Sequence, residues 1–224
     1  MRKPLLDPPG TDDLGAPSIW PTFAFMAGIW MAVALYTNER VLTPQVLANL
    51  AGRGSGIEMS SAQMDNFQLL ERLSYGFIPV VLALRIAVTA LLLQMFAMLL
   101  VAEIHYRDLF RASLWGFSAV IYGSLLQAVR LDLLGPGLTV PELSVVPDSL
   151  GALFLNPGPS LSIGYAALSL LNLHGLLWIA VIFTCLRFRS GASPRHALLI
   201  PLAGWTTISL AQLGLTVFMA QILL

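Results

Sequence analysis

Residues 77–129 read FIPVVLALRIAVTALLLQMFAMLLVAEIHYRDLFRASLWGFSAVIYGSLLQAV. Two apolar runs flank a short polar link around Glu103 to Asp108. Each run is long enough, at 1.5 Å per helical residue, to cross the roughly 30 Å hydrocarbon core of a bilayer. The stretch predicts a transmembrane helical hairpin with spans at about 77–102 and 108–129. It also holds Arg85, an arginine set well inside an apolar segment, where a charge costs from about 2.5 kcal/mol upward.

Composition agrees with that reading. The chain of 224 residues is 57% apolar and 11% charged, the balance of a membrane-embedded protein rather than of a soluble globule. Formal net charge is zero, with no basic block and no acidic tail, so neither nucleic acid nor a polybasic surface anchor is indicated. Cys185 is the single cysteine, which rules out an intrachain disulfide or a cysteine-based metal site.

Outward from the hairpin, the expected fold is all-α: one membrane domain over 1–224, a polytopic bundle of five transmembrane helices with short amphipathic outer helices. The first span covers about 19–36, with Trp20 and Tyr36 as interfacial aromatics and Ala24, Gly28 and Ala32 as a close-packing row. Met1 to Pro17 is a proline-rich polar tail without the apolar core of a cleavable signal. Between spans one and two, Thr43-Pro44 reads as the start of a short helix ending near Gly52. Ser60 and Gln63 read as the capping box of an amphipathic helix that turns into the second span near Pro79. Residues 130–164 are proline-rich, and GALFL within them is too short to cross, which predicts a surface-lying or shallow re-entrant turn. Spans four and five follow at about 165–186 and 196–224.

Small residues predict the packing. Ala83, Ala87, Ala90, Gln94 and Ala97 share one face of span two, and Ala112, Gly116, Ala119, Gly123 and Gln127 one face of span three. The hairpin is expected to pack along these two rows. Arg85 points roughly 200° away from Ala83, toward another neighbour, a cavity or lipid. Orientation follows from cation placement. With the N-terminus inside, Arg2, Lys3, Arg107, Arg111, Arg187, Arg189 and Arg195 lie inside against Arg40, Arg53, Arg72 and Arg130 outside, so the C-terminus falls outside.

In this layout Arg85, Gln127, Asn172, His174 and Gln212 fall in the outer half of the bilayer, and they form the candidate site, a buried polar cluster. Arg85 and His174 are expected near one level, with no acid nearby within a span. The same residues also read as structural: Arg85 snorkelling to headgroups or bonding loop carbonyls, Asn172 and His174 tying helices together. No catalytic constellation, phosphate-cradling glycine loop or set of metal ligands is evident, so the expectation is a non-enzymatic protein with no cofactor.

The opening SIWPTFAFMAGIWMAVALYTNERV (18–41) and the stretch LSLLNLHGLLWIAVIFTCLRFRSGASPRHALLIPLAGW (168–205) resemble the Yip family of Ypt/Rab-interacting, five-span membrane proteins in its bacterial form. The resemblance implies an accessory or scaffold subunit that binds partner membrane proteins. Eukaryotic members engage Rab GTPases, and some bacterial ones accompany export machinery such as ABC transporters. The family's DLYGP-type motif precedes the first span, whereas Asp132-Leu133-Leu134-Gly135-Pro136 lies in an outer segment here. Eleven arginines against one lysine fit a GC-rich bacterial genome and hence a bacterial inner membrane. The expected partners are membrane lipids and other membrane proteins; the competing class is a small transporter or lipid-binding protein built on the polar cluster.

Overall fold

The computed structural model describes residues 18–41, 43, 46, 61–135, 140–143, 145–155 and 163–222, all of it helices and connecting turns with no strand among them. Ser18 opens α1 (Ile19–Tyr36) by accepting the N–H of Trp20 on its side chain, with Pro21 in the first turn where no donor is missed. A single π-helical turn, Thr37–Val41, closes it. Of the short helix expected from Thr43-Pro44, Thr43 and Val46 are described, and the Thr43 hydroxyl accepts the Val46 N–H at 3.4 Å as an N-cap does; the rest of it, the capping-box side chains of Ser60 and Gln63 and the tail before Ser18 lie outside the described residues.

α2 (Ser61–Leu99) corrects one expectation. The amphipathic helix and the second span are a single helix, and Pro79 sits inside it rather than at a turn. α2 ends in a tight link where Val101 takes a left-handed φ of 53° and the Ala102 N–H returns to Ala97 O at 2.8 Å. α3 (Tyr106–Leu134) then runs back and stops at Gly135, whose positive φ is open to glycine without cost. Three short helices follow, α4 (Val140–Leu143), α5 (Leu150–Phe154) and α6 (Ile163–Ser169). α7 (Leu173–Arg189) and α8 (Pro194–Ile222) complete the chain. Ser193 accepts the His196 N–H and Pro194 occupies the first position of α8, the usual cap and N1 pairing. The α2–α3 and α7–α8 links mark one end of the bundle, the link end. The Tyr36 hydroxyl donates to Asp132 Oδ2 at 2.6 Å and ties α1 to α3 at the other, the loop end.

Among the described residues, four helical segments are long and apolar enough to cross a membrane: Ile19–Val41, Tyr75–Leu99, Tyr106–Leu134 and Pro194–Thr216. The expected span at 165–186 is interrupted. Leu170 and Leu171 form a turn, and Asn172 restarts the helix by accepting the Gly175 N–H on Oδ1 at 2.7 Å. The remaining α7 has 17 residues and is about 25 Å long. Trp20, Leu84, Leu91, Met98, Leu210 and Leu215 stand exposed on the long helices. Apolar side chains on the outside as well as the inside mark a bundle whose surroundings are hydrocarbon.

α3 is the central helix, and its small-residue row meets α7 rather than α2. A Cβ at Gly116 would stand 3.1 Å from Ile182 Cγ1 and from Trp178 Nε1, and one at Gly123 would stand 2.9 Å from His174 Cγ. On another face of α3, Leu114, Phe117 and Ile121 pack with Leu82 and Ile86 of α2 and with Met26 and Ala27 of α1. α2 touches α8 toward the link end, where Leu93 lies against Gly204 and, with Ala97, joins Ala197 and Ile200 in one buried cluster. The first span's own row faces outward: Ala24, Gly28 and Ala32 are exposed, and nothing in the protein lies within 4 Å of a Cβ at Gly28.

Candidate functional site

Because α2 and α8 meet through Leu93 and Gly204 near the link end, their other halves leave room between them. A cavity of about 490 Å³ fills that room, within the range of about 300–1,000 Å³ typical of small-molecule sites. Its floor is made by Ser113, Phe117 and Val120 of α3 and by His174 and Trp178 of α7; Thr89 of α2 and Ser209 of α8 face it from either side. Leu84 and Val88, both exposed, and Gln212 stand at the open side. That side opens laterally, toward the surface that apolar residues cover.

Arg85, Asn172, His174 and Gln212 all line this cavity. Gln127 does not. Its Nε2 donates to Leu143 O at 2.9 Å, and Arg130 one turn on donates to Glu142 O at 2.9 Å, so this end of α3 grips the last residues of α4. Gln127 is therefore a structural clamp on the loop and no part of the cluster expected from the sequence.

The levels also differ from expectation. The Arg85 guanidinium lies over the Phe117 ring, 5.6 Å from its centroid, whereas His174 packs beside Gly123. Gly123 is about 9 Å beyond Phe117 along α3 toward the loop end. Arg85 itself sits roughly 15 Å from the Tyr75 end of its apolar segment, near the middle of a bilayer-sized span. Among the described residues its guanidinium has neither an ion pair nor a hydrogen bond. A cation–π contact supplies about 0.5–2 kcal/mol, while a guanidinium at mid-span costs about 2.5 kcal/mol or more. The ring alone does not balance that charge.

His174 does have an acid, and it comes from outside the spans. Asp148 comes from the turn before α5. Its side chain is 6% exposed, and Oδ2 lies 2.9 Å from His174 Nδ1. The same oxygen accepts the His174 backbone N–H at 2.8 Å, and the Asp148 carbonyl accepts the Leu173 N–H at 3.0 Å. The bridge between Ser149 and Asn172, through the Leu150 N–H to Leu171 O, fastens the two strips of backbone together. Asp148 and Asn172 thus close the N-terminus of α7 from both sides, a favourable place for a carboxylate given the helix dipole. With Nδ1 engaged, Nε2 is the ring atom left for other partners. The sequence signal was faint: Asp148-Ser149 just before a short apolar run reads as a helix start, and Ser149 does cap α5 by accepting the Ala152 N–H at 3.1 Å.

Two further groups complete the site. Ser113 is 3% exposed and its Oγ has no hydrogen-bond partner, and the Trp205 Nε1 would stand 2.6 Å from a Cβ at Gly175. No group of three metal-binding side chains occurs among the described residues. Taken together, the fold and the site define a helical membrane-type protein with a laterally open, donor-rich cavity. No protein-family model, curated protein or solved structure matches the chain.

Proposed function

We propose that the protein is a non-enzymatic membrane-embedded binding protein whose cavity takes an amphipathic molecule, a lipid or lipid-like ligand, from the surrounding bilayer. The observation that carries this reading is the placement of Arg85, an unmatched guanidinium in mid-span, on the wall of a cavity that opens toward the apolar surface between α2 and α8. In this reading α6 and α7 together make a fifth crossing broken at Asn172, the N-terminus is inside and the C-terminus outside a bacterial inner membrane. The loop end, with Asp148 and the clamp on Glu142 and Leu143, then faces outward. Thr89→Trp is expected to fill the cavity and abolish retention of a lipid adduct that native mass spectrometry detects in the wild type after extraction into a maltoside. A wild type without such an adduct, or a variant that keeps it, would count against the reading.

A second role follows from a different surface. The row Ala24, Gly28 and Ala32 is exposed and open enough for another helix to approach closely, which favours an accessory or scaffold subunit of a larger membrane assembly, as the Yip-family resemblance also implies. Under that reading a partner membrane protein co-purifies in stoichiometric amount, and Gly28→Leu releases it.

A further inference from the structure

We infer that the cavity holds its ligand by an anionic head, a phosphate or carboxylate gripped by Arg85 and Ser113, so that the ligand is an anionic amphiphile. The inference deepens the binding reading and rests on it. Four observations carry it. Arg85 is a permanent cation on the cavity wall, without an ion pair or hydrogen bond among the described residues. Ser113 is buried to 3% exposure, lines the same cavity and has an unsatisfied Oγ. Ser113 lies one turn from Phe117, whose ring carries the guanidinium, so both groups face one side of α3. Asp148, whose carboxylate is engaged by the cavity-lining His174, makes no ion pair with Arg85.

The alternatives within the site are closed. The N-terminus of α7 holds no vacancy for an anion, because Asn172 accepts from Gly175 and Asp148 accepts from His174. The planar fork of arginine matches an oxyanion in two-point contact, which a lone hydroxyl or ring nitrogen does not. Apolar walls on either side, Val88 and Leu92 of α2 and Ile208 of α8, leave the tail of such a ligand in a hydrocarbon setting. The shared chemistry is the oxyanion, and its source is either a lipid head or a soluble anion.

The test uses the full chain in a neutral maltoside, followed by thermal unfolding and by tryptophan emission, to which Trp178 and Trp205 on the cavity wall contribute. Dodecyl phosphate, dodecanoate, dodecanol and inorganic phosphate are titrated in turn. Expected are a rise in Tm and saturable binding for the two anionic amphiphiles, with dodecanol and inorganic phosphate weaker. Arg85→Gln is expected to weaken dodecyl phosphate about ten- to hundredfold, the loss of one charge-assisted contact, while Arg85→Lys retains part of it. Ser113→Ala, a change too small to threaten folding, is expected to weaken the same ligand several-fold, on the scale of one hydrogen bond. Equal binding of dodecanol and dodecyl phosphate, unaffected by Arg85→Gln or Ser113→Ala, would overturn the anionic head and leave the cavity reading standing. Binding by none of the amphiphiles would overturn both. Inorganic phosphate binding as tightly as dodecyl phosphate would overturn the amphiphile and assign the site to a soluble anion.

Discussion

Gly123→Leu is expected to lower the stability of the folded protein by on the order of 3–5 kcal/mol, seen as a large drop in Tm in detergent. A Cβ at this position would stand 2.9 Å from His174 Cγ and 3.0 Å from Nδ1, closer than real side chains come. The atoms in the way are the root of a ring, not the tip of a flexible chain. His174 can swing aside only by giving up Asp148, so overpacking of about 1–3 kcal/mol adds to the loss of a charge-assisted hydrogen bond of about 1.5–3 kcal/mol. Alternatively α3 and α7 part, which opens the most extensive helix contact in the bundle. Gly28→Leu is the matched control. A Cβ there meets nothing within 4 Å, so the same substitution is expected to leave Tm nearly unchanged. Equal Tm shifts for the two variants would mean that the α3–α7 contact is not the one described.

Helix existence was legible in the sequence because long charge-poor runs need no knowledge of their neighbours. The α2–α3 hairpin follows from run length and the polar link alone. Partner choice was not legible. Gly116 and Gly123 announce that some backbone comes close, and the sequence contains several candidates; α7 wins because His174, Trp178 and Ile182 supply the side chains that fill those gaps. Asn172 is legible as a polar side chain in a span, but its role as a helix start is not, for a different reason. In LSLLNLHGLL a hydropathy average sees eight apolar or small residues and passes over one amide, yet that amide sits three residues before Gly175, the spacing of an N-cap. Pro79 misled in the opposite direction. By sequence it marks a turn, but in a long helix surrounded by apolar material the carbonyl it frees is tolerated. Of the polar cluster, Arg85 was the most legible, since a mid-span cation has to face a cavity or a partner. Gln127 was the least, since a carbonyl delivered by the loop, Leu143 O, decides where its amide turns.

Asp148 is the residue whose loss is expected to reach furthest, because one carboxylate serves both the helix start and the histidine. Asp148→Ala leaves the His174 backbone N–H and Nδ1 without an acceptor in a place where the native side chain is 6% exposed. Each orphaned group costs about 1–3 kcal/mol, so a total near 3 kcal/mol is expected, together with loss of the interaction between the carboxylate and the dipole of α7. Asp148→Asn separates charge from hydrogen bonding. An amide oxygen in the place of Oδ2, which accepts both the His174 backbone N–H and the Nδ1 N–H, keeps both bonds. The asparagine variant is therefore expected to recover most of the Tm lost in the alanine variant. Its imidazole is expected to keep the wild-type tautomer, with the proton on Nδ1, whereas the alanine variant loses that preference, a difference that ¹⁵N-resolved spectroscopy of the ring reads directly. If both variants lose stability equally and the tautomer is the same in all three proteins, His174 is not held by Asp148. The broken helix would then be fixed by Asn172 and the Ser149 bridge alone.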